Sequence, residues 1–165
     1  MAQSAVIPSE RMTPRWLVWL GFVALCNGAG ILSSLAAGES RIYSELRQPS
    51  FAPPSWVFAP VWTTLYVLMG TATFLVWREC TGPRRSSAMI VFGVQLLLNA
   101  LWTPVFFALG QYTAAFGILI AIWVSVLVMT VMYWRRVRLA GLLLLPLLGW
   151  VTFAGVLNGA IVRLN

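Results

Sequence analysis

Five runs of apolar residues, at 16–37, 56–77, 87–109, 113–134 and 140–162, constrain this chain more than any other feature. A helix needs about 20 mainly apolar residues to cross the hydrocarbon of a bilayer, and these five runs nearly exhaust the 165 residues. In lipid, each backbone N–H and C=O must find its partner within the protein, so spans of this length fold as helices packed into one bundle. The predicted fold is all-α and integral to the membrane: a five-transmembrane-helix bundle over residues 16–165, preceded by a polar tail, 1–15, that reads as mobile. The first run is too long for a signal-peptide core and has no cleavage context, so it counts as a span. With 60% hydrophobic and 9% charged residues and a mean hydropathy of +0.85, the chain is too apolar for a soluble domain.

Charge is confined to the breaks between runs. All eleven basic residues are Arg, against four acids, for a net charge of +7. They form short clusters and not one basic face, which argues against nucleic acid as a partner. Eight of them (Arg11, Arg15, Arg78, Arg84, Arg85, Arg135, Arg136, Arg138) fall in the tail and the second and fourth breaks, and three (Arg41, Arg47, Arg163) on the other side. That asymmetry predicts a cytoplasmic N-terminus in a bacterial cell membrane, with another membrane left open. The chain has no His, and its two Cys, Cys26 and Cys80, lie in different environments. A disulfide scaffold and a His or Cys metal site are excluded on ligand count. The residues likewise offer no nucleophile with a partner base for hydrolysis or group transfer. Intramembrane charges for ion coupling and an inverted repeat, the marks of a plain transporter, are lacking too.

The first break is long enough to have shape. Between Tyr43 and Tyr66 four prolines (Pro49, Pro53, Pro54, Pro60) fall within twelve residues, interleaved with Trp56, Phe58, Trp62 and Tyr66. Each Pro fixes its own φ and biases its predecessor away from helix, which predicts a stiff loop at 49–54. Pro is tolerated in a first helical turn, so a helix can start near Ser55 and run through Pro60. Trp16, Trp19, Trp77 and Trp134, near span ends, read as interface anchors, whereas Trp62, Trp102 and Trp150 lie deeper. Gln95, Asn99, Trp102 and Phe106 follow steps of four, three and four and share one helix face. Trp62 with Tyr66 in the second span and Trp150, Ala154 and Leu157 in the fifth make similar stripes, with Phe153 and Asn158 beside the last. Gln95 and Asn99 suit interhelical hydrogen bonds or a ligand equally well. If the three faces meet beneath the loop, they line a mostly apolar cavity fit for a flat hydrophobic guest. Small residues every four positions (Ala29, Ser33, Ala37; Gly117, Ala121, Ser125; Gly155, Gly159) read mainly as packing within the bundle, with a homodimer seam as the alternative.

The pattern Tyr43, Leu46, Pro49, Pro53, Pro54, Phe58, Val61, Trp62, Leu65, Tyr66, then Gln95, Leu96, Asn99, Trp102, Phe106, Phe107, then Pro146, Trp150, Phe153, Ala154, Leu157, Asn158, resembles the TspO/MBR family of tryptophan-rich sensory and translocator (peripheral-type benzodiazepine receptor) proteins. The resemblance covers essentially everything after the tail. It implies a five-helix bundle, usually a homodimer, whose first loop closes over a pocket for porphyrins and related tetrapyrroles, for benzodiazepine-type drugs and, in animals, for cholesterol. Carried over by position, the ligand-binding residues are Tyr43, Pro53, Trp62, Gln95, Asn99, Trp102, Trp150, Ala154 and Leu157. No catalytic residue is firm; Trp62 and Trp150 match tryptophans linked in the family to light- and oxygen-dependent tetrapyrrole breakdown.

Some positions depart from the family pattern. Ile42, Gln48 and Phe51 stand where Trp, Lys and Trp are common, so Arg41 or Arg47 must take the part of the Lys toward a porphyrin carboxylate. Asn158 to Arg163 lacks the Tyr of the animal sterol motif, and the match of Val131, Tyr133 and Arg135 to its loose form is of a kind expected by chance. No cofactor is required. With no His, and Met69 as the one nearby sulfur, a haem would lack a strong axial ligand, whereas metal-free protoporphyrin needs none. The expected function is a membrane receptor or translocator-like protein that binds porphyrins in tetrapyrrole sensing or transport; the alternative is enzyme-like degradation of protoporphyrin at the pocket tryptophans.

Overall fold

We describe the protein from a computed structural model in which residues 14–38, 43 and 46–165 are described. Most of the tail, with Arg11, and Arg41 and Ile42 of the first loop lie outside the described residues. Five helices long and apolar enough to cross a membrane follow one another: α1 (Arg15–Ala37), α2 (Phe58–Glu79), α3 (Gly82–Phe107), α4 (Tyr112–Arg136) and α5 (Arg138–Leu164). A single 3-10 turn, Ser55–Val57, leads into α2, and Pro60 falls in the first turn of that helix, where its missing N–H has no intrahelical partner to lose. The five-helix membrane bundle expected from the apolar runs is the architecture observed.

The breaks are shorter than the polar residues suggest. Arg84 to Ser86, expected in a loop, form the polar first turn of α3, because Pro83 stands at its start and is preset for helix. Only Cys80 and Thr81 separate α2 from α3, and only Val137 separates α4 from α5. Gly82, at φ +55°, and Gly110, at φ +61°, supply the left-handed backbone that such tight reversals need.

Around the bundle the helices run in the order α1, α2, α5, α4, α3 and back to α1. The α2–α5 pair therefore makes one wall, and α3 faces it from across the ring, with some direct contact to α2. Close approach is built in at Gly70, where a Cβ would come within 2.9–3.0 Å of the backbone of Val23 and Phe22 on α1. Pro104 interrupts α3 and cannot donate to the carbonyl of Ala100. Ser33 of α1 does so instead, at 2.7 Å, so the hydroxyl that the small-residue ladder suggested is a packing device also fills a gap in another helix's hydrogen-bond ladder. Gly117 and Ala121, by contrast, are exposed on α4, and a Cβ at Gly117 would meet nothing within 4 Å. At the core, the Tyr133 hydroxyl lies 3.3 Å from Thr73 Oγ1 and 3.4 Å from the carbonyl of Ala88, tying α4 to α2 and α3.

Candidate binding site beneath the first loop

The loop is held by its own prolines and by aromatic rings. Ala52 donates to the carbonyl of Pro49 and Val57 to that of Pro54, each at 3.0 Å, making two successive turns. Tyr43 is buried, its hydroxyl donates to the carbonyl of Pro53 at 3.2 Å, and its own carbonyl accepts from the side chain of Gln48. Burial raises the Tyr43 phenol above its ordinary pKa of 10.0, so it stays a neutral donor at physiological pH. The Asn165 side chain accepts from the Arg47 N–H and donates to the Arg47 carbonyl, both at 3.1 Å, and so fastens the loop to the end of α5. A series of rings then joins the loop to α2 and α5: Tyr43 to Phe58 at 5.3 Å, Phe58 to Trp150 at 5.9 Å, Trp150 to Phe153 at 5.5 Å, and Phe153 to Phe51 at 6.4 Å between centroids. Most of these pairs meet edge to face, as the quadrupoles of aromatic rings prefer.

Beneath the loop, the residues singled out in the sequence fall into two adjoining groups. Trp62, Trp102, Trp150 and Ala154 pack, half-buried, on one continuous core. Tyr43 and Leu157 belong to a second buried cluster, and Trp102 touches both. Pro53 is half-buried in the loop, at the hydroxyl of Tyr43. Gln95 and Asn99 are buried on α3.

Hydrogen bonding sorts the polar members. Asn158 is paired at both ends of its carboxamide, accepting from the Trp102 indole at 3.4 Å and donating to the carbonyl of Tyr112 at 3.2 Å. The Gln95 carbonyl accepts from Ser125 of α4. Three buried donors, Gln95 Nε2, Asn99 Nδ2 and Trp150 Nε1, have no acceptor among the described residues; Thr130 Oγ1 is similarly placed on α4. These residues thus supply N–H groups and aromatic faces, with no charged side chain and no base to move a proton among them. Among the described residues no group of three or more His, Cys, Asp or Glu could hold a metal.

A groove of about 990 Å³ opens elsewhere, on the outer face between α4 and α5 beneath Gln48, Pro49 and Phe51 of the loop, and none of the nine residues named from the sequence lines it. The two places touch through the loop and through the Phe51–Phe153 contact. Sequence reasoning missed both this groove and Ser125. A hydroxyl within an apolar span was the available signal for Ser125, but its four-residue spacing to Ala121 made it read as a small packing residue.

With this geometry in place, comparison with known proteins is specific. A profile described as the TspO/MBR family matches residues 22–164. "Protein CrtK" of Rhodobacter capsulatus is 38% identical over 149 residues, covering 87% of this chain and 89% of its own. The "Translocator protein" of Homo sapiens is 37% identical over 159 residues, covering 93% and 94%, and the "Tryptophan-rich protein TspO" of Archaeoglobus fulgidus is 41% identical over 123 residues, covering 74% and 79%.

Proposed function

The chain belongs to the TspO/MBR family, and from that premise we propose that it binds porphyrins and related flat, largely apolar ligands inside the bundle, beneath the first loop, in tetrapyrrole sensing or transport. The observation that carries this reading is the trio of buried donors without acceptors on Gln95, Asn99 and Trp150. A buried polar group left unpaired costs about 1–3 kcal/mol, and in a lipid-embedded bundle water offers less relief than in a soluble core. Imine-type ring nitrogens or carboxyl and carbonyl oxygens of a guest would accept from these donors while its rings lie against Trp62, Trp102 and Trp150. A porphyrin carboxylate would reach the exposed Arg47 at the loop; Arg41, the other candidate, lies outside the described residues.

Titrating protoporphyrin into the purified protein and following tryptophan quenching tests the proposal. Trp150→Phe keeps an aromatic face and removes the N–H, so affinity should fall about three- to tenfold, the worth of one hydrogen bond. Wild-type affinity in both Trp150→Phe and Asn99→Leu would refute the interior site.

A further inference from the structure

The groove between α4 and α5 has a polarity gradient that matches one kind of molecule. Its deep end is set by Val151, Leu119 and Trp123, and the polar atoms there are already partnered: the Trp123 indole donates to Thr152 Oγ1 at 2.9 Å, and the Thr152 hydroxyl donates to the carbonyl of Leu148 at 2.8 Å. Its shallow end carries Arg163, the charged residue among the described lining, beside Gln48 of the loop. Between the two ends Gly155 forms an open floor, since a Cβ there would meet nothing within 4 Å, while Phe116 and Ile120 of α4 stand as the wall. The twelve residue steps along α5 from Val151 to Arg163 rise about 18 Å at 1.5 Å each, close to the roughly 15 Å that one leaflet contributes to a hydrocarbon core of about 30 Å.

We propose that this groove holds an anionic phospholipid of the loop-side leaflet, with an acyl chain lying over Gly155 toward Val151 and the headgroup phosphate paired with Arg163. Charge complementarity selects the headgroup: a juxtamembrane Arg contributes about 1 kcal/mol toward anionic lipid, roughly a fivefold preference. Gln48, Pro49 and Phe51 roof the groove, so the bound lipid touches the same loop that covers the interior. The site shares none of the residues assigned to the interior ligand, and neither proposal depends on the other.

The test uses the full chain in nanodiscs of mixed phosphatidylglycerol and phosphatidylcholine, released into native mass spectrometry, with helical circular dichroism confirming each variant's fold. Wild-type protein should retain phosphatidylglycerol about fivefold above its share of the bilayer. Arg163→Gln, a surface change outside the core, should bring retention down to the bilayer ratio, and Gly155→Leu should lower retention of both lipids by filling the floor. Retention at the bilayer ratio in wild type, or an enrichment that survives Arg163→Gln, overturns the proposal. So does preferential retention of an added uncharged sterol that is indifferent to Arg163.

Discussion

Asn99 carries its carboxamide into the bundle with no acceptor for Nδ2 among the described residues, a placement that costs stability unless something else satisfies the donor. Asn99→Leu is similar in size and removes the orphaned donor. The ligand-free protein should therefore unfold at an unchanged or higher temperature in detergent, while protoporphyrin binds about three- to tenfold more weakly. A large loss of stability with unaltered binding would make Asn99 a structural residue. The stripe of Gln95, Asn99 and Trp102 was legible in the sequence because helical periodicity alone puts them on one face. The partner of Gln95 was not, since Ser125 lies thirty residues along the chain and only the packing of α3 on α4 brings it near. At the same scale, Met69 is fully buried in the core among apolar neighbours, and the chain has no His. Haem should accordingly bind no more tightly than protoporphyrin and show no strongly ligated spectrum; a tight complex with a strong-ligand absorbance would assign an axial ligand that these residues do not suggest.

Among the elements, α1 has the fewest buried residues and is held by close backbone approach and a few directed contacts. Gly70 brings its backbone against α2, the Trp19 indole donates to Thr71 at 3.0 Å, and Ser33 caps the carbonyl that Pro104 leaves free in α3. Ser33→Ala should lower stability by about 1–2 kcal/mol by orphaning the Ala100 carbonyl. Gly70→Leu should cost about 1–3 kcal/mol or more by forcing α1 away, whereas Gly21→Ala, where a Cβ meets nothing within 4 Å, serves as the near-neutral control. Thermal melts of the three variants check the order; equal melting of Gly70→Leu and Gly21→Ala would mean that α1 does not pack on α2 as described. That five elements exist, and that a stiff loop precedes the second, was legible from run length and proline spacing. Their ends were not, because Arg84 and Arg85 read as loop by polarity although Pro83 makes them helical.

For the whole molecule, an odd number of spans places the start of α1 and the end of α5 on opposite sides of the membrane. From the eight-to-three arginine asymmetry we propose that the tail is cytoplasmic and the loop faces outward. An alkaline phosphatase fused after Asn165 in a bacterial host should then be active; a silent phosphatase with a fluorescent cytoplasmic reporter at the same position would invert the topology. The ring order α1, α2, α5, α4, α3 could not be read from periodicity, which reveals the apolar and polar faces of a helix but not its neighbours. It is this order that sets α3 across from the α2–α5 wall and leaves the outer groove between α4 and α5. The two places make opposite demands on one measurement, protoporphyrin affinity by tryptophan quenching in Asn99→Leu and in Gly155→Leu. An interior site beneath the loop predicts weaker binding in the first and wild-type binding in the second; wild-type binding in the first with loss in the second would put the porphyrin in the outer groove and contradict the account.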